Sequence, residues 1–319
     1  MVAKDWISVT GLGAAVRGQG LSQVLLNCHH HNNVSSKKFF KTISTLRSMS
    51  RRARIDISRF FDDFFAGVLD GRIENKISRK DIRELLYTVR RIFLSQPIFL
   101  RLETPMIRYP KNFFMLRGNH ETSSVNKHYG FYKNVMNKYR SEALYELFQR
   151  VFDCMPLCAL ISDRILCMHG GLSPRLLEAK SLDVLDNISR PLADSKISEN
   201  GNQLAVDLLW ADPDINVQLF SSNRRGIGRT FGQEVIDRVR QRFGIDLIIR
   251  AHQVVLDGHE FFNDDPSSGL VTLFSAPHYC GQYDNSGAIM RVDKNMGVSF
   301  KVFKPQLQNN SSRHSNRTE

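Results

Sequence analysis

Long apolar runs are absent from this sequence, and cysteines are few. No stretch reaches the roughly 18 apolar residues that a membrane-spanning helix needs, so we predict no transmembrane segment. The 5 cysteines are odd in number and irregularly spaced, and we recognise no signal peptide before them. This pattern argues against a disulfide-bonded secreted domain and favours a cytoplasmic or nuclear protein. With 42% hydrophobic and 24% charged residues in 319, the chain can form a large core.

Acidic residues are nearly absent from the first 55 positions, where Asp5 is the only one. The same segment holds the basic clusters "KKFFK" and "RRAR" and three consecutive histidines, without sustained periodicity. We therefore predict a disordered basic extension over residues 1–55, whose composition also resembles a mitochondrial transit peptide. Residues 56–305 form the predicted folded domain, and residues 306–319 a polar tail.

The formal net charge of +12 raises the possibility of a nucleic-acid partner. Much of the excess lies in the basic extension, however, and the remainder of the chain mixes both signs. No zinc-finger spacing and no aromatic–basic strand pattern is present. We predict no sequence-specific nucleic-acid binding and no membrane partner.

Hydrophobic periodicity predicts three helices and several short strands. The first helix covers residues 78–94, where Ser78 and Asp81 form a capping-box-like start. The other two helices are predicted at residues 141–155 and 232–243. Strands alternate with helices at first and dominate later, which is an α/β to α+β pattern. The predicted strands cover residues 112–116, 158–168, 245–250, 270–276, 286–293 and 297–303.

Potential ligands follow three of these strands. "NFFML" leads through Arg-Gly to Asn119 and His120, "RILCM" leads to His169, and "IDLIIR" leads to Ala-His252. Open sheets place their sites at the carboxyl ends of strands, so we expect these side chains to converge. One amide oxygen and two imidazoles suit Mn²⁺, Fe²⁺ or Zn²⁺. For the Gly-Asn step alone, an ordinary turn is an equally good interpretation.

Two further segments are suited to contact an ion or a phosphate. Gly170 and Gly171 follow His169 and would allow the backbone to approach a ligand closely. Arg224 and Arg225, in "SNRRGIGRTFG", precede a glycine turn and are suited to bidentate contact with an oxyanion.

Six motifs give the chain a specific resemblance. "LRGNHE", "HGGLSP", "LLWADP", "RGIGRTFG", "IIRAHQVV" and "TLFSAPHYCG" occur in that order. Residues 56–305 closely resemble the phosphoprotein phosphatase superfamily, nearest to type-1 serine/threonine phosphatases. The resemblance implies a metallophosphoesterase β-sandwich with helices on both sides. It also implies hydrolysis of phosphoserine and phosphothreonine in phosphoprotein substrates by a water activated by two metal ions.

The resemblance assigns metal-binding roles to several residues. It implies that Asn119, His169 and His252 are ligands of one ion. Asp212, in "WADP", corresponds to an aspartate that supports the site without touching the metal.

Further residues resemble those that act on the phosphate. His120 resembles the general acid that protonates the leaving seryl oxygen, and Arg225 resembles a phosphate-binding arginine. Tyr279 resembles a tyrosine near the bound phosphate. His278 stands where type-1 enzymes have asparagine.

Two blocks of the superfamily, Gly-Asp-x-His-Gly and Gly-Asp-x-x-Asp-Arg-Gly, are absent from the chain. The match breaks near residues 105–106, where a βαβ-sized piece, on the order of 30 residues, is missing. That piece would supply a bridging carboxylate, two more metal ligands, the aspartate that orients His120 and a second arginine. We therefore expect at most one weakly held divalent ion, impaired activity and a sheet with two strands missing and open edges. The alternatives are a non-catalytic relative that binds regulatory subunits and a defective splice or gene-model product.

A hydrophobic groove for regulatory subunits is the last implied site. Type-1 phosphatases accept an extended peptide there, which adds as a strand. The matching residues lie in "HEFF" and "NMGVSF", and their period also fits ordinary strand core. They are Phe261, Met296, Val298 and Phe300.

Overall fold

The computed structural model describes residues 6–15, 20–29, 78–103, 113–198 and 202–305, the first two ranges by their backbone alone. The expected break near 105–106, the predicted domain start at 56 and the polar tail lie outside these ranges. Within them, no helix has the length and apolar character needed to cross a membrane.

A six-stranded sheet forms the centre of the molecule. Its strands are β3 (Phe99–Leu102), β5 (Cys158–Ile161), β6 (Ile165–Met168), β10 (Leu247–Arg250), β11 (His259–Phe261) and β12 (Leu270–Leu273). Their order is β11-β12-β10-β6-β5-β3. β10 runs parallel to both β6 and β12, so β6 and β10 end at the same edge of the sheet. The residues that follow these two strands are therefore neighbours in space.

A second sheet of five strands faces the first. It contains β1 (Trp6–Ala15), β2 (Gly20–His29), β4 (Phe113–Leu116), β13 (Gly287–Asp293) and β14 (Val298–Phe303). The order is β14-β13-β1-β2-β4, and every neighbouring pair is antiparallel. β1 and β2 form an N-terminal hairpin between β13 and β4. Residues 6–10 pair with β13, and residues 24–27 pair with β4.

This hairpin differs from two expectations. We expected disorder over residues 1–55, yet residues 6–15 and 20–29 are strands. We also expected open edges where two strands are missing, yet the hairpin lies between β13 and β4. The physical reason is that unpaired strand edges carry backbone donors and acceptors that need partners. A hairpin satisfies both edges at once, although its own sequence shows little strand periodicity.

The two sheets bury a shared apolar core. Leu100, Ile249 and Val271 come from the six-stranded sheet, while Leu116 and Met290 come from the five-stranded sheet, and all are at most 1% exposed. The predicted β-sandwich flanked by helices is confirmed.

The helices cover both outer faces. α1 (Arg79–Ser95) begins at the predicted capping box, in which Ser78 and Asp81 exchange hydrogen bonds. It packs with α3 (Phe131–Tyr139) and α4 (Glu142–Phe152) through Leu86, Phe93, Val135, Leu147 and Val151. The other α-helices are α2 (Ser123–His128), α5 (Pro174–Glu178), α6 (Asp194–Ser198), α7 (Gln203–Trp210) and α8 (Gln233–Phe243).

A small sheet lies beside the strand ends. It consists of β7 (Asp212–Pro213), β8 (Phe220–Ser222) and β9 (Arg229–Phe231), in the order β7-β9-β8. The turn between β8 and β9 carries Arg225, and β7 begins with Asp212. These two predicted site residues therefore lie on one small unit next to the central sheet.

Candidate metal and phosphate site

Three donor atoms converge at the edge of the sandwich. His169 Nε2 lies 2.8 Å from Asn119 Oδ1 and 3.2 Å from His252 Nδ1. Asn119 follows β4 in the five-stranded sheet, whereas the two histidines follow β6 and β10 in the other sheet. All three side chains are almost fully buried. The sequence-based prediction that these residues converge agrees with this geometry.

The electrostatic surroundings keep both imidazoles neutral. Burial lowers the pKa of His169 well below its ordinary value, and the neighbouring His252 and Arg250 lower it further. Burial likewise lowers the pKa of His252, with added repulsion from Arg250 and Arg225. Neutral imidazoles present the free lone pairs that a metal ion needs.

The donor set fits one divalent ion. Asn119 Oδ1 and His252 Nδ1 each lie within 3.2 Å of His169 Nε2, and the lone pairs of these atoms repel unless a proton or a cation lies between them. Among the described residues, no third His, Cys, Asp or Glu completes a metal-binding group with the two histidines. The described part of the chain therefore offers three neutral ligands for one ion and no bridging carboxylate for a second.

His252 is held in a strained backbone conformation. Its φ angle is 63°, in the left-handed region that residues with a Cβ rarely adopt. The flanking backbone is fixed by Ala251 N, which donates to His169 O at 3.0 Å, and Gln253 N, which donates to Ala251 O at 2.7 Å. Such strain persists only where the surrounding structure imposes it, and it is common at functional sites.

His120 lies beside the donor cluster. Its ring packs at 5.2 Å, centroid to centroid, against Tyr129. Burial lowers the pKa of His120 to about 4, so it is neutral near pH 7. Within the described ranges, no carboxylate pairs with His120. It therefore lacks the partner that would raise its pKa toward that of a general acid.

Arg117 fixes the turn that carries Asn119 and His120, a role that our sequence analysis missed. The guanidinium is 1% exposed and donates twice to Glu121 O, at 2.8 and 3.1 Å. It also donates to Leu192 O at 2.6 Å and to Asp153 at 3.1 Å. A buried, fully engaged arginine inside "LRGNHE" holds the ligand turn in place, and no periodicity signal identifies it.

Asp212 organises the positive side of the site. One carboxylate oxygen accepts from buried Arg250 at 2.7 Å, and the other accepts from Arg225 at 2.7 Å and Asn223 at 2.9 Å. Burial opposes its ionisation, but Arg250, Asn223 and Arg225 together hold the pKa of Asp212 below its ordinary value. Two guanidinium groups against one carboxylate leave a net positive charge. Arg225 stays partly exposed, with 41% of its side chain accessible. It is therefore placed to meet an anion.

The two glycines after His169 are required by packing within the protein. A Cβ on Gly170 would lie 2.4 Å from Trp210 N, and one on Gly171 would lie 2.3 Å from the Phe231 ring. Glycine is needed because the chain passes directly against the end of α7 and against β9. The expected approach of this backbone to an ion or a phosphate stays a prediction.

Tyr279 belongs to the loop before β13. Its backbone N–H donates to Asn285 Oδ1 at 2.9 Å, and its ring packs at 5.0 Å against Phe274. Val254, two residues after His252, packs in the same cluster. Tyr279 thus lies in the neighbourhood of the donor cluster. The neighbouring His278 contacts Tyr283 O at 3.1 Å.

The predicted groove residues gather at one side of the sandwich. Phe261, Met296 and Phe300 are partly buried against the shared core, and Val298 is 41% exposed. The Phe261 and Phe300 rings meet edge to face at 6.0 Å. β14 ends the five-stranded sheet, and β11 ends the six-stranded sheet. Among the described strands, β14 has a partner on one side only, so strand core and an unpaired apolar edge coexist in this region.

Comparison with known proteins places the chain in a family. The calcineurin-like phosphoesterase family matches residues 95–256, more than half of the chain. The chain therefore belongs to the calcineurin-like phosphoesterases and, among them, to the phosphoprotein phosphatase superfamily close to the type-1 enzymes. Members of this superfamily are metal-dependent.

Individual relatives agree with this placement. The chain is 52% identical over 199 residues to the Caenorhabditis elegans serine/threonine-protein phosphatase PP1-delta. The matched stretch covers 62% of this chain and 62% of the relative. It therefore spans less than two thirds of the length of that curated relative. A Saccharomyces cerevisiae serine/threonine phosphatase, described as similar to human phosphatase PP5, superposes with a TM-score of 0.66 at 23% identity. That match covers 78% of this chain and 98% of the yeast chain, and it shows the fold.

Proposed function

We propose that this chain is a serine/threonine-protein phosphatase relative that binds one divalent ion, Mn²⁺, Fe²⁺ or Zn²⁺, and hydrolyses phosphoproteins slowly. The observation that carries the proposal is the approach of Asn119 and His252 to His169 Nε2, at 2.8 and 3.2 Å, with no carboxylate among the described residues completing a metal-binding group; Asp212 lies 3.9 Å from His252 Nε2 but is engaged by Arg250 and Arg225. Three neutral ligands hold a divalent ion weakly, because no ligand charge offsets the cost of dehydrating it. The ion would supply Lewis acidity to a phosphoryl oxygen or a bound water.

The side chains at the site are better suited to binding a phosphoryl group than to transferring a proton to the leaving oxygen. Arg225, oriented by Asp212 and partly exposed, binds phosphoryl oxygens. His120 is the candidate proton donor to the leaving oxygen. Its pKa of about 4 leaves it deprotonated at neutral pH, so it donates poorly. Phosphate recognition is therefore retained while turnover is low.

The N-terminal hairpin does not restore the missing carboxylates. Residues 6–29 contain neither aspartate nor glutamate. The strand pair between β13 and β4 therefore brings no anionic ligand to the site.

The proposed activity is tested with Mn²⁺ and a generic phosphomonoester. Elemental analysis after Mn²⁺ loading should give at most one ion per chain, and turnover should stay near background. His252→Ala should abolish ion binding, whereas the exposed His128→Ala should not change it. Two tightly held ions, or Mn²⁺-dependent turnover at the rate of an ordinary phosphatase that His120→Ala removes, would contradict the proposal.

A second function, binding of regulatory subunits, is favoured by the open edge at β14. The edge lies beside the aromatic pair Phe261–Phe300, and it needs no metal. An extended Val-x-Phe peptide can add as a strand there and bury its apolar side chains. We propose a micromolar affinity, about 8 kcal/mol. We also propose a cytoplasmic or nuclear location, which is supported by the few, irregularly spaced cysteines.

Calorimetric titration tests this second function. A Val-x-Phe peptide should bind the full chain saturably, and Phe261→Ala should weaken that binding. Leu219→Ala, at an exposed apolar residue outside the groove, serves as the control. Equal binding by wild type and Phe261→Ala, or no saturable binding, would remove this function.

A further inference from the structure

The N-terminal hairpin is longer than the strands on either side of it. β1 pairs with β13 only through residues 6–10, and β2 pairs with β4 only through residues 24–27. Pairing between β1 and β2 nevertheless continues to Ala15 and Gly20. Residues 11–15 and 20–23, the hairpin overhang, therefore pair only with each other among the described strands.

The overhang extends from the sheet at the edge that carries the site. β2 runs antiparallel to β4 with Val24 opposite Leu116, so residues 20–23 lie beyond the carboxyl end of β4. Asn119 and His120 follow that end directly. β2 accordingly contacts the turn formed by Asn119–Glu121.

The other arm of the overhang reaches the opposite side of the site. β1 runs antiparallel to β13 with Thr10 opposite Ile289, so residues 13–15 lie beyond the start of β13 at Gly287. The loop that leads into β13 carries Tyr279. β1 accordingly contacts the turn formed by Tyr279–Gly281. The two arms therefore lie against two different walls of the site.

The size and composition of the overhang suit a cover. Five extended residues span about 17 Å, enough to cross a phosphate-sized opening. Residues 11–15 read "GLGAA" and residues 20–23 read "GLSQ", with no charged side chain among them. Such a segment neither binds a metal ion strongly nor attracts a phosphate, but its backbone occupies space.

We propose that the hairpin overhang is an intrachain cover that restricts access to the site between the His120 turn and the Tyr279 turn. A small anion reaches Arg225 past the cover, whereas a phosphorylated protein segment requires the overhang to move. The inference concerns access alone. It goes beyond the proposed function and holds whether or not the chain hydrolyses phosphoesters.

A shortened hairpin tests the cover. Replacing residues 12–23 by Asn-Gly keeps Gly11 opposite Val24 and suits a two-residue turn. All pairing with β13 and β4 is retained. In the full chain, the rate at which diethylpyrocarbonate modifies His120 is followed by peptide mass spectrometry, with exposed His128 as the internal reference. The shortened variant should modify several-fold faster at His120 and at an unchanged rate at His128.

A graded variant and a control keep the test decisive. Replacing residues 14–21 by Asn-Gly keeps Gly13 opposite Ser22 and should give an intermediate rate at His120. If the variant that lacks residues 12–23 does not melt cooperatively, the His120 rate in the variant that lacks residues 14–21 tests the proposal. Removing residues 306–319 controls for truncation and should change neither rate. Equal His120 rates in wild type and in a truncated variant that melts cooperatively would overturn the proposal.

Discussion

The two sheets of the sandwich are assembled in different ways. The six-stranded sheet takes all its strands from the middle of the chain, residues 99–273, and its parallel strands bring His169 and His252 to one edge. The five-stranded sheet combines the N-terminal hairpin with β4, β13 and β14, which lie far apart in sequence. The first sheet is determined mainly by its own apolar runs, whereas the second depends on a hairpin recruited from a distance. We therefore expect the first to be the more robust part of the fold.

Removal of residues 1–29 should have the largest effect. It leaves β4 without a partner strand in this sheet, exposes the edge of β13 that faces away from β14, and opens the shared core. The loss should exceed the total stability of about 5–15 kcal/mol that is typical of a domain. Calorimetry and light scattering should show no cooperative melt and should show aggregation, while removal of residues 306–319 should be neutral. A monodisperse truncated chain with a sharp melt would show that the hairpin is dispensable, and failure of the full chain to melt cooperatively would favour a defective product.

The substitution Asp212→Asn should have the next largest effect on the free energy of unfolding. Asp212 lies in the small sheet beside the six-stranded sheet. It removes the negative charge that balances Arg250, which is 0% exposed. Leaving a buried charge uncompensated costs about 3–5 kcal/mol. Chemical denaturation measures this loss, and Asn223→Ala, which removes a neutral partner of the same carboxylate, should cost less. Equal costs would show that the charge balance is unimportant.

Arg225→Ala should weaken phosphate binding while leaving the stability of the fold nearly unchanged. Arg225 is partly exposed, and Arg250 still neutralises Asp212, so the fold should change little. Loss of a charged hydrogen-bond donor should weaken binding of inorganic phosphate by about 1.5–3 kcal/mol, roughly tenfold or more. Isothermal titration with phosphate measures this, with Arg224→Ala as the neighbouring control. A similar loss from both variants would mean that only the general positive charge matters.

Asp183→Asn should have the smallest effect. It breaks one arm of the exposed pairing of Arg101 with Asp183 and Asp186, at 2.6 and 2.7 Å, beside the edge strand β3. Exposed ion pairs contribute about 0–1 kcal/mol, and salt screens them. In denaturant melts at low and at high salt, the free energy of unfolding of the variant should differ from that of wild type by no more than about 1 kcal/mol. A larger loss would show that this edge of the six-stranded sheet is as dependent on added contacts as the other sheet.

Local sequence signals were sufficient for most regular elements. Ser78 and Asp81 identify the start of α1, and apolar runs identify β4 and β10, because capping and burial are short-range requirements. The predicted strand 158–168 was wrong in one respect, since this run turns at residues 162–164 and forms the antiparallel pair β5 and β6. The convergence of Asn119, His169 and His252 was also predictable, since polar residues that follow buried strands meet at one sheet edge.

The sequence by itself therefore determined the family, the identities of the three donors and the absence of the carboxylate blocks. Only the tertiary structure decided that β1 and β2 lie between β13 and β4, because strand pairing depends on which distant edges are open. It also decided the roles of Arg117 and Arg250, since burial turns an ordinary charged residue into a fixed support. The low pKa of His120 has the same origin, because desolvation exists only once the chain has packed around the ring.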